Sequence, residues 1–182
     1  MEPQDLDPPD VRLRALRAVI AALLLVGFGA CIAKGANSPA DPKLVQAEVP
    51  GFGEIAVQIS AAGAASPSAA RCALLAATEA QREKGLMGVT DLKGYVGMVF
   101  RFAGDTQSGF YMKNTPMPLS IAWFRADGTF VSSADMAPCG DRNDCPIYGA
   151  SGSYRYALEV PQGQLASLGI GPGSILQLSG TC

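Results

Sequence analysis

From residue 54 onward, apolar and polar positions alternate in short runs separated by Gly, Pro, Asp and Ser. Runs of this kind are the pattern of strands, and YRYALEV (154–160) alternates with a period of two. EIAVQIS (54–60), RCALLAA (71–77), VGMVFRF (96–102), GFYMK (109–113), LSIAWFR (119–125), TFVSSADM (129–136), YRYALEV (154–160) and ILQLSG (175–180) are the predicted strands. Ala126-Asp127-Gly128 links two of them, because Asp-Gly tolerates the positive φ of a tight hairpin turn. Two segments depart from the alternation. Thr78 with Gln81 forms a capping box, and Gly85 is placed to stop a helix of about two turns. Residues 161–168 read as a second short helix closed by Gly169. A doubly wound parallel sheet would need longer helices between its strands. The pattern predicts a mainly β fold: a compact antiparallel or mixed β-sandwich or barrel with one or two short helices.

The N-terminal third follows a different pattern. Residues 1–10 combine three prolines with four acids and predict no regular structure. Arg12, Arg14 and Arg17 then precede an uncharged run over 18–33. Basic, then apolar, then small residues is the layout of an export signal. The run has 16 residues, about 24 Å as a helix against a hydrocarbon core of about 30 Å. It contains Phe28-Gly29-Ala30-Cys31, which resembles a bacterial lipoprotein signal with Cys31 as the lipidated residue; Phe28 stands where an aliphatic residue is usual. An uncleaved anchor and a plainly secreted form are the alternatives. Arginines before the run place the rest of the chain outside the cytoplasm, at the outer face of the membrane. The expected organisation is a tail and export segment over 1–33, a Pro-rich linker over 34–52, and one β domain over 53–182.

Composition narrows the chemistry. The chain has no histidine, which removes Ser-His-Asp and Cys-His nucleophile systems and every His-containing metal site. Beyond residue 31, 11 basic residues face 12 acidic ones with no cationic run, so nucleic acid is not an expected partner. No cofactor or metal is expected.

Cys72, Cys139, Cys145 and Cys182 remain beyond Cys31, and an even count in an exported chain predicts disulfides. Cys139 and Cys145 share the polar loop PCGDRNDCP and form the natural local pair, worth about 2.4 kcal/mol by loop entropy. Cys72 then pairs with Cys182, stapling the first and final strands, at about 4.8 kcal/mol by the same formula. A metal site using the 139–145 thiolates with Asp141 or Asp144 is the competing reading, but the spacing is wide for a zinc knuckle.

Five strings carry a family resemblance: Glu83-Lys84-Gly85-Leu86-Met87; Phe110-Tyr111-Met112-Lys113-Asn114-Thr115; Pro118-Leu119-Ser120-Ile121; Pro138-Cys139 with Cys145-Pro146; and Tyr156-Ala157-Leu158-Glu159-Val160-Pro161. With them the chain resembles the bacterial and archaeal family Domain of Unknown Function 192 from about residue 54 to 179. The resemblance implies a single compact β fold, often exported, and no particular activity.

The chemically unusual stretch is 110–115, where aromatic and apolar residues lead into Lys113, Asn114 and Thr115. A strand end offering a cation, an amide and a hydroxyl together suits a small polar ligand, with Asp135 as the nearest carboxylate in hairpin register. A Lys113–Asp135 ion pair with Asn114 and Thr115 capping a turn is the structural alternative. A Ser120–Lys113 dyad has no spacing to recommend it. Met87, Met98, Met112, Met117 and Met136 lack metal-loop spacing and are expected to pack in the core. Trp123 and Phe124 are adjacent on one strand, so one is expected to face inward and the other outward.

These features predict a membrane-tethered accessory domain that binds a small polar molecule, glycan or peptide of the envelope. The enzymatic alternative is a hydrolase or transferase built on lysine and carboxylates. It requires a Lys with lowered pKa, or a carboxyl with raised pKa, in a pocket. A purely structural interaction domain is the third possibility.

Overall fold

The computed structural model describes residues 49–182; the expected export segment, Cys31 and residues 34–48 of the expected linker lie outside the described residues. Among the described residues, nine strands and one α-helix appear in the order β1 (Gly53–Ser60), β2 (Arg71–Ala76), α1 (Glu79–Lys84), β3 (Met98–Thr106), β4 (Phe110–Tyr111), β5 (Leu119–Phe124), β6 (Phe130–Met136), β7 (Ile147–Tyr148), β8 (Tyr154–Pro161) and β9 (Ile175–Ser179). No helix among the described residues is long and apolar enough to cross a membrane.

Seven strands form one sheet in the order β6-β5-β8-β3-β2-β1-β9, and β4 pairs with β7 in a separate ribbon. Every pairing in the large sheet is antiparallel except β2 with β3. A parallel pair needs a crossover, and α1 with the chain after it supplies one. The sheet curls until its two edges meet. Thr129 bridges Ile175, the Phe130 N–H donates to the Ser174 carbonyl at 3.1 Å, and the Leu176 N–H donates to the Gly128 carbonyl at 2.8 Å. Bonds between the edges leave fewer unpaired strand groups open to other chains. The predicted Asp127-Gly128 turn makes this closure, and Gly128 has the φ of +85° that its glycine permits.

The curl gives the sheet two buried faces. One carries Leu74, Phe100, Ile121, Trp123 and Tyr154, covered by Leu86, Leu92 and Met112. The other carries Val57, Val99, Ala122, Phe124 and Leu158, covered by Ile170 near a single 3-10 turn, Ala166–Leu168. This corrects the expectation for the adjacent aromatics. Trp123 and Phe124 point to opposite faces, yet both are fully buried, because β5 lies inside the sheet and both of its faces are covered. Met98, Met112 and Met136 are buried in the first cluster, as expected of packing residues.

Cys139 is bonded to Cys145 and Cys72 to Cys182, with Cα separations of 6.0 and 5.7 Å. The second bridge differs from expectation in what it joins. Cys72 lies on β2, and β1 runs between β2 and β9. The bond therefore ties the chain terminus across β1 to the second strand rather than joining the first strand to the last.

Candidate functional site

The predicted capping box forms: the Gln81 N–H donates to Thr78 Oγ1 at 3.2 Å, and Gln81 Oε1 accepts from the Thr78 N–H at 3.0 Å. Gly85 closes α1 with φ +45°, its N–H donating to the Gln81 carbonyl at 2.9 Å. The chain then drops Leu86 into the core, and the Gly88 N–H donates to the Asn114 carbonyl at 2.8 Å. That bond holds the segment after α1 against the 110–115 stretch. Two strings far apart in sequence thereby form the walls of one cleft.

The floor of the cleft is Glu159. It lies on β8 between β3 and β5, with Met98 and Ile121 as its lateral partners. Behind it, a side chain at Gly97 would fall on the Glu159 carbonyl oxygen, so only glycine lets β3 approach this closely. Phe100, Phe110, Leu86 and Thr115 line the walls, and Arg82, Glu83 and Lys84 line the cleft from α1. Its volume is about 60 Å³. That is room for a few waters or one small polar group, far below a drug-sized site.

Glu159 is 4% exposed. No hydrogen bond or ion pair reaches its carboxyl among the described residues. Burial alone pushes its pKa up to about 8 from the ordinary 4.5, because a carboxylate loses its water here and gains no partner. At neutral pH the group is mostly the neutral acid. Among the described residues the sealed side-chain atom without a hydrogen bond is Trp123 Nε1, so the Glu159 carboxyl is not sealed but opens onto the cleft, and an unpartnered acid there calls for a role.

The residues expected to form the site are only partly brought together. Lys113 Nζ donates to Asn143 Oδ1 at 2.7 Å and lies 3.4 Å from Asp141 Oδ1. Asn114 has φ +56°, and its Nδ2 donates to Asp141 Oδ1 at 3.5 Å. The carboxylate beside Lys113 is thus Asp141, from the loop closed by the Cys139–Cys145 bond. Asp135 is engaged elsewhere: it accepts from the Ser120 hydroxyl, its cross-strand partner on β5. Hairpin register brings Asp135 opposite Ser120, while Lys113 belongs to the stretch that bridges Cys139. Ser120 also accepts from the Gly163 N–H at 2.9 Å, so its hydroxyl has no bond to Lys113. Thr115 is 4% exposed, and its hydroxyl donates to the Lys113 carbonyl at 3.3 Å. Of the four residues, Thr115 alone lines the Glu159 cleft. Asn114 and Thr115 also line a shallower groove of about 280 Å³ with Pro116, Pro138 and Cys139.

Sequence reasoning missed Glu159. Period-two alternation puts it on the same side of its strand as Arg155, which reads as a solvent face. The signal present was one acid set between Leu158 and Val160, inside a string that carries the family resemblance.

Two solved structures share the fold. A Sinorhizobium meliloti 1021 protein, provisionally described as a transcription regulator, is 26% identical, with a TM-score of 0.61 over 72% of this chain and 98% of that one. A protein of unknown function from Novosphingobium aromaticivorans DSM 12444 is 28% identical, with a TM-score of 0.61 over 74% of this chain and 94% of that one. No curated protein matches the chain. The model of the family DUF192, described as an uncharacterized ACR, matches residues 60–178, a span that holds every wall of the cleft and its floor, and the chain belongs to that family.

Proposed function

We propose that the chain is a membrane-tethered, outward-facing binding domain whose cleft seats a small polar group of an envelope ligand. The carrying observation is the unpartnered Glu159 carboxyl on the cleft floor. Only a bound group or water can satisfy it, and the small volume selects the tip of a ligand rather than a whole one. The outward placement rests on the Arg-flanked apolar run before Lys34, and two bonded cysteine pairs are compatible with an oxidising compartment. The S. meliloti relative is described as a transcription regulator, but a nucleic-acid role for this chain is not supported by a basic patch among the described residues. Lys93, Lys113, Arg142 and Arg155 each face an aspartate instead.

Mapping backbone amide shifts of the full chain against small amines, carboxylates, amides and polyols tests the binding reading. At least one class is expected to give saturable shifts confined to 82–87, 109–111, 115 and 159. The Lys113→Ala variant is expected to bind as the parent does, since Lys113 belongs to the neighbouring loop. If no class perturbs these residues, the cleft is not a binding site. The tether is tested by metabolic labelling with a palmitate analogue. Label is expected on the parent and absent from Cys31→Ser; label that persists in the variant contradicts lipidation at Cys31.

One observation favours a second reading. A carboxyl with raised pKa in a pocket is what an acid–base enzyme of the envelope requires, and Glu159 meets that condition. In that reading Glu159 is the proton donor to a substrate seated against Thr115. Turnover that disappears in Glu159→Gln, with substrate still bound, distinguishes the enzyme from the binding module.

A further inference from the structure

We infer that the group the cleft accepts is a compact cation, a primary ammonium, held by Glu159 as its counter-charge and by Thr115 and the aromatic walls around it. The inference rests on the binding reading above and names the ligand chemistry of the same site.

Four observations lead to it. First, the one side chain buried on the cleft floor with no protein partner is an acid. A carboxylate accepts hydrogen bonds and donates none, so its natural complement is a donor that also carries positive charge. Second, the basic side chains at the rim are turned to other tasks. Arg82 Nη1 donates to the Ala77 carbonyl at 2.6 Å and the Arg101 carbonyl at 3.0 Å, and its guanidinium sits 4.9 Å from the Phe102 ring centroid. Lys84 Nζ lies 5.5 Å from the Phe52 centroid. Arg82 and Lys84 line the cleft from α1 but are already engaged by these carbonyls and rings, so an anionic ligand would meet Glu159 at the floor. Third, Phe100 and Phe110 both line the cleft, with ring centroids 5.0 Å apart and planes at 90°. Aromatic rings lining the cleft supply the attraction that a ring face exerts on a desolvated cation. Fourth, the Thr115 hydroxyl spends its proton on the Lys113 carbonyl, which leaves its oxygen as an acceptor for an ammonium N–H. The volume of about 60 Å³ suits an ammonium with its first carbons and excludes a ring.

The electrostatics give this site a distinctive pH dependence. The charged and titratable groups lining the cleft are Arg82, Glu83 and Lys84 around α1 and Tyr111 from β4. The β3 and β5 partners of Glu159 are Met98 and Ile121, which do not titrate. At pH 7 the incoming ammonium displaces the Glu159 proton to solvent, so one proton is released for each cation bound. Affinity should therefore rise about tenfold per pH unit up to about 8 and then level off, because an alkylammonium keeps its charge to about pH 10.

The test titrates n-propylammonium, propionate and propionamide into the full chain from pH 6 to 9, following backbone amide shifts. The expected result is saturable binding of propylammonium at 82–87, 110 and 159, with that pH profile, at least tenfold weaker in Glu159→Gln. Propionate is expected not to bind there. Propylammonium binding that is equal in Glu159→Gln, or flat with pH, overturns the assignment. A preference for propionate or propionamide also overturns it while leaving the cleft a binding site. Silence from all three probes and from the wider panel removes the binding reading itself.

Discussion

At pH 8 and above, Glu159→Gln is expected to melt higher than the parent chain, although it alters the floor of the candidate site. The reason is linkage. The folded carboxyl holds its proton to about pH 8, whereas an unfolded one releases it near 4.5. Between those values the unfolded state has lost a proton that the native state retains, so native stability falls as pH rises. The raised pKa thus contributes a penalty that is absent below about pH 4.5 and complete above about 8. Its full size is on the order of 5 kcal/mol, or a melting shift on the order of 15 °C for a domain of this length. Glutamine has nearly the same shape and no charge to desolvate. The two proteins are therefore expected to melt alike at pH 5 and to diverge progressively toward pH 9. Other shifted groups leave this window clear. Asp91 and Asp127 are held below the ordinary carboxylate range, chiefly by the backbone N–H groups of Lys93 and Thr129. Tyr154 is pushed up to about 12 by burial. Melting curves for parent and variant that run parallel from pH 5 to 9 would show that Glu159 is not desolvated.

The second large effect is expected from the long disulfide. Cys72 and Cys182 are 110 residues apart, and their bond closes nearly the whole domain into one loop. Removing it frees the unfolded chain, at about 5 kcal/mol in the loop-entropy model. The native state is also affected. β9 is held on one side by β1 and touches β6 only through the bridge at Thr129 and Ile175 and the bonds beside it. The double variant Cys72→Ala/Cys182→Ala is expected to melt on the order of 15 °C lower. Amide exchange should be fastest in β9. The Cys139–Cys145 bond closes a far shorter loop, about 2.4 kcal/mol by the same formula, and its loss should be felt mainly around Asp141, Asn143 and Lys113. A double variant that melts with the parent would mean that strand pairing alone holds the terminus.

Much of this fold was legible because its signals are local. The Thr78–Gln81 box and Gly85 specify the start and stop of α1 within eight residues, and both caps form as read. The Asp127-Gly128 turn, the strand runs and the Cys139–Cys145 pair were readable for the same reason, and Cys72–Cys182 followed as the pair left over. What could not be read depends on pairing across the chain. The strand read over 109–113 pairs only at Phe110–Tyr111, and its partner Ile147–Tyr148, two residues long, is too short for any periodicity to register. Trp123 and Phe124 are both buried because β5 has β8 and β6 beside it and a layer over each face, a fact of topology. Asp141 rather than Asp135 meets Lys113 because a bonded loop folds over the strand end, and no hairpin register reports that. Glu159 was hidden most completely. A period-two pattern reports which residues share a side of a strand, and it cannot report that both sides are covered.

The most direct measurement is a carbon-detected NMR titration of the Glu159 side-chain carboxyl in the full chain without ligand. A midpoint near pH 8 is the result this reading of the cleft requires. A midpoint in the ordinary carboxylate range, between about 4 and 5, would mean that the acid is solvated or paired, and the proposed site would lose its floor.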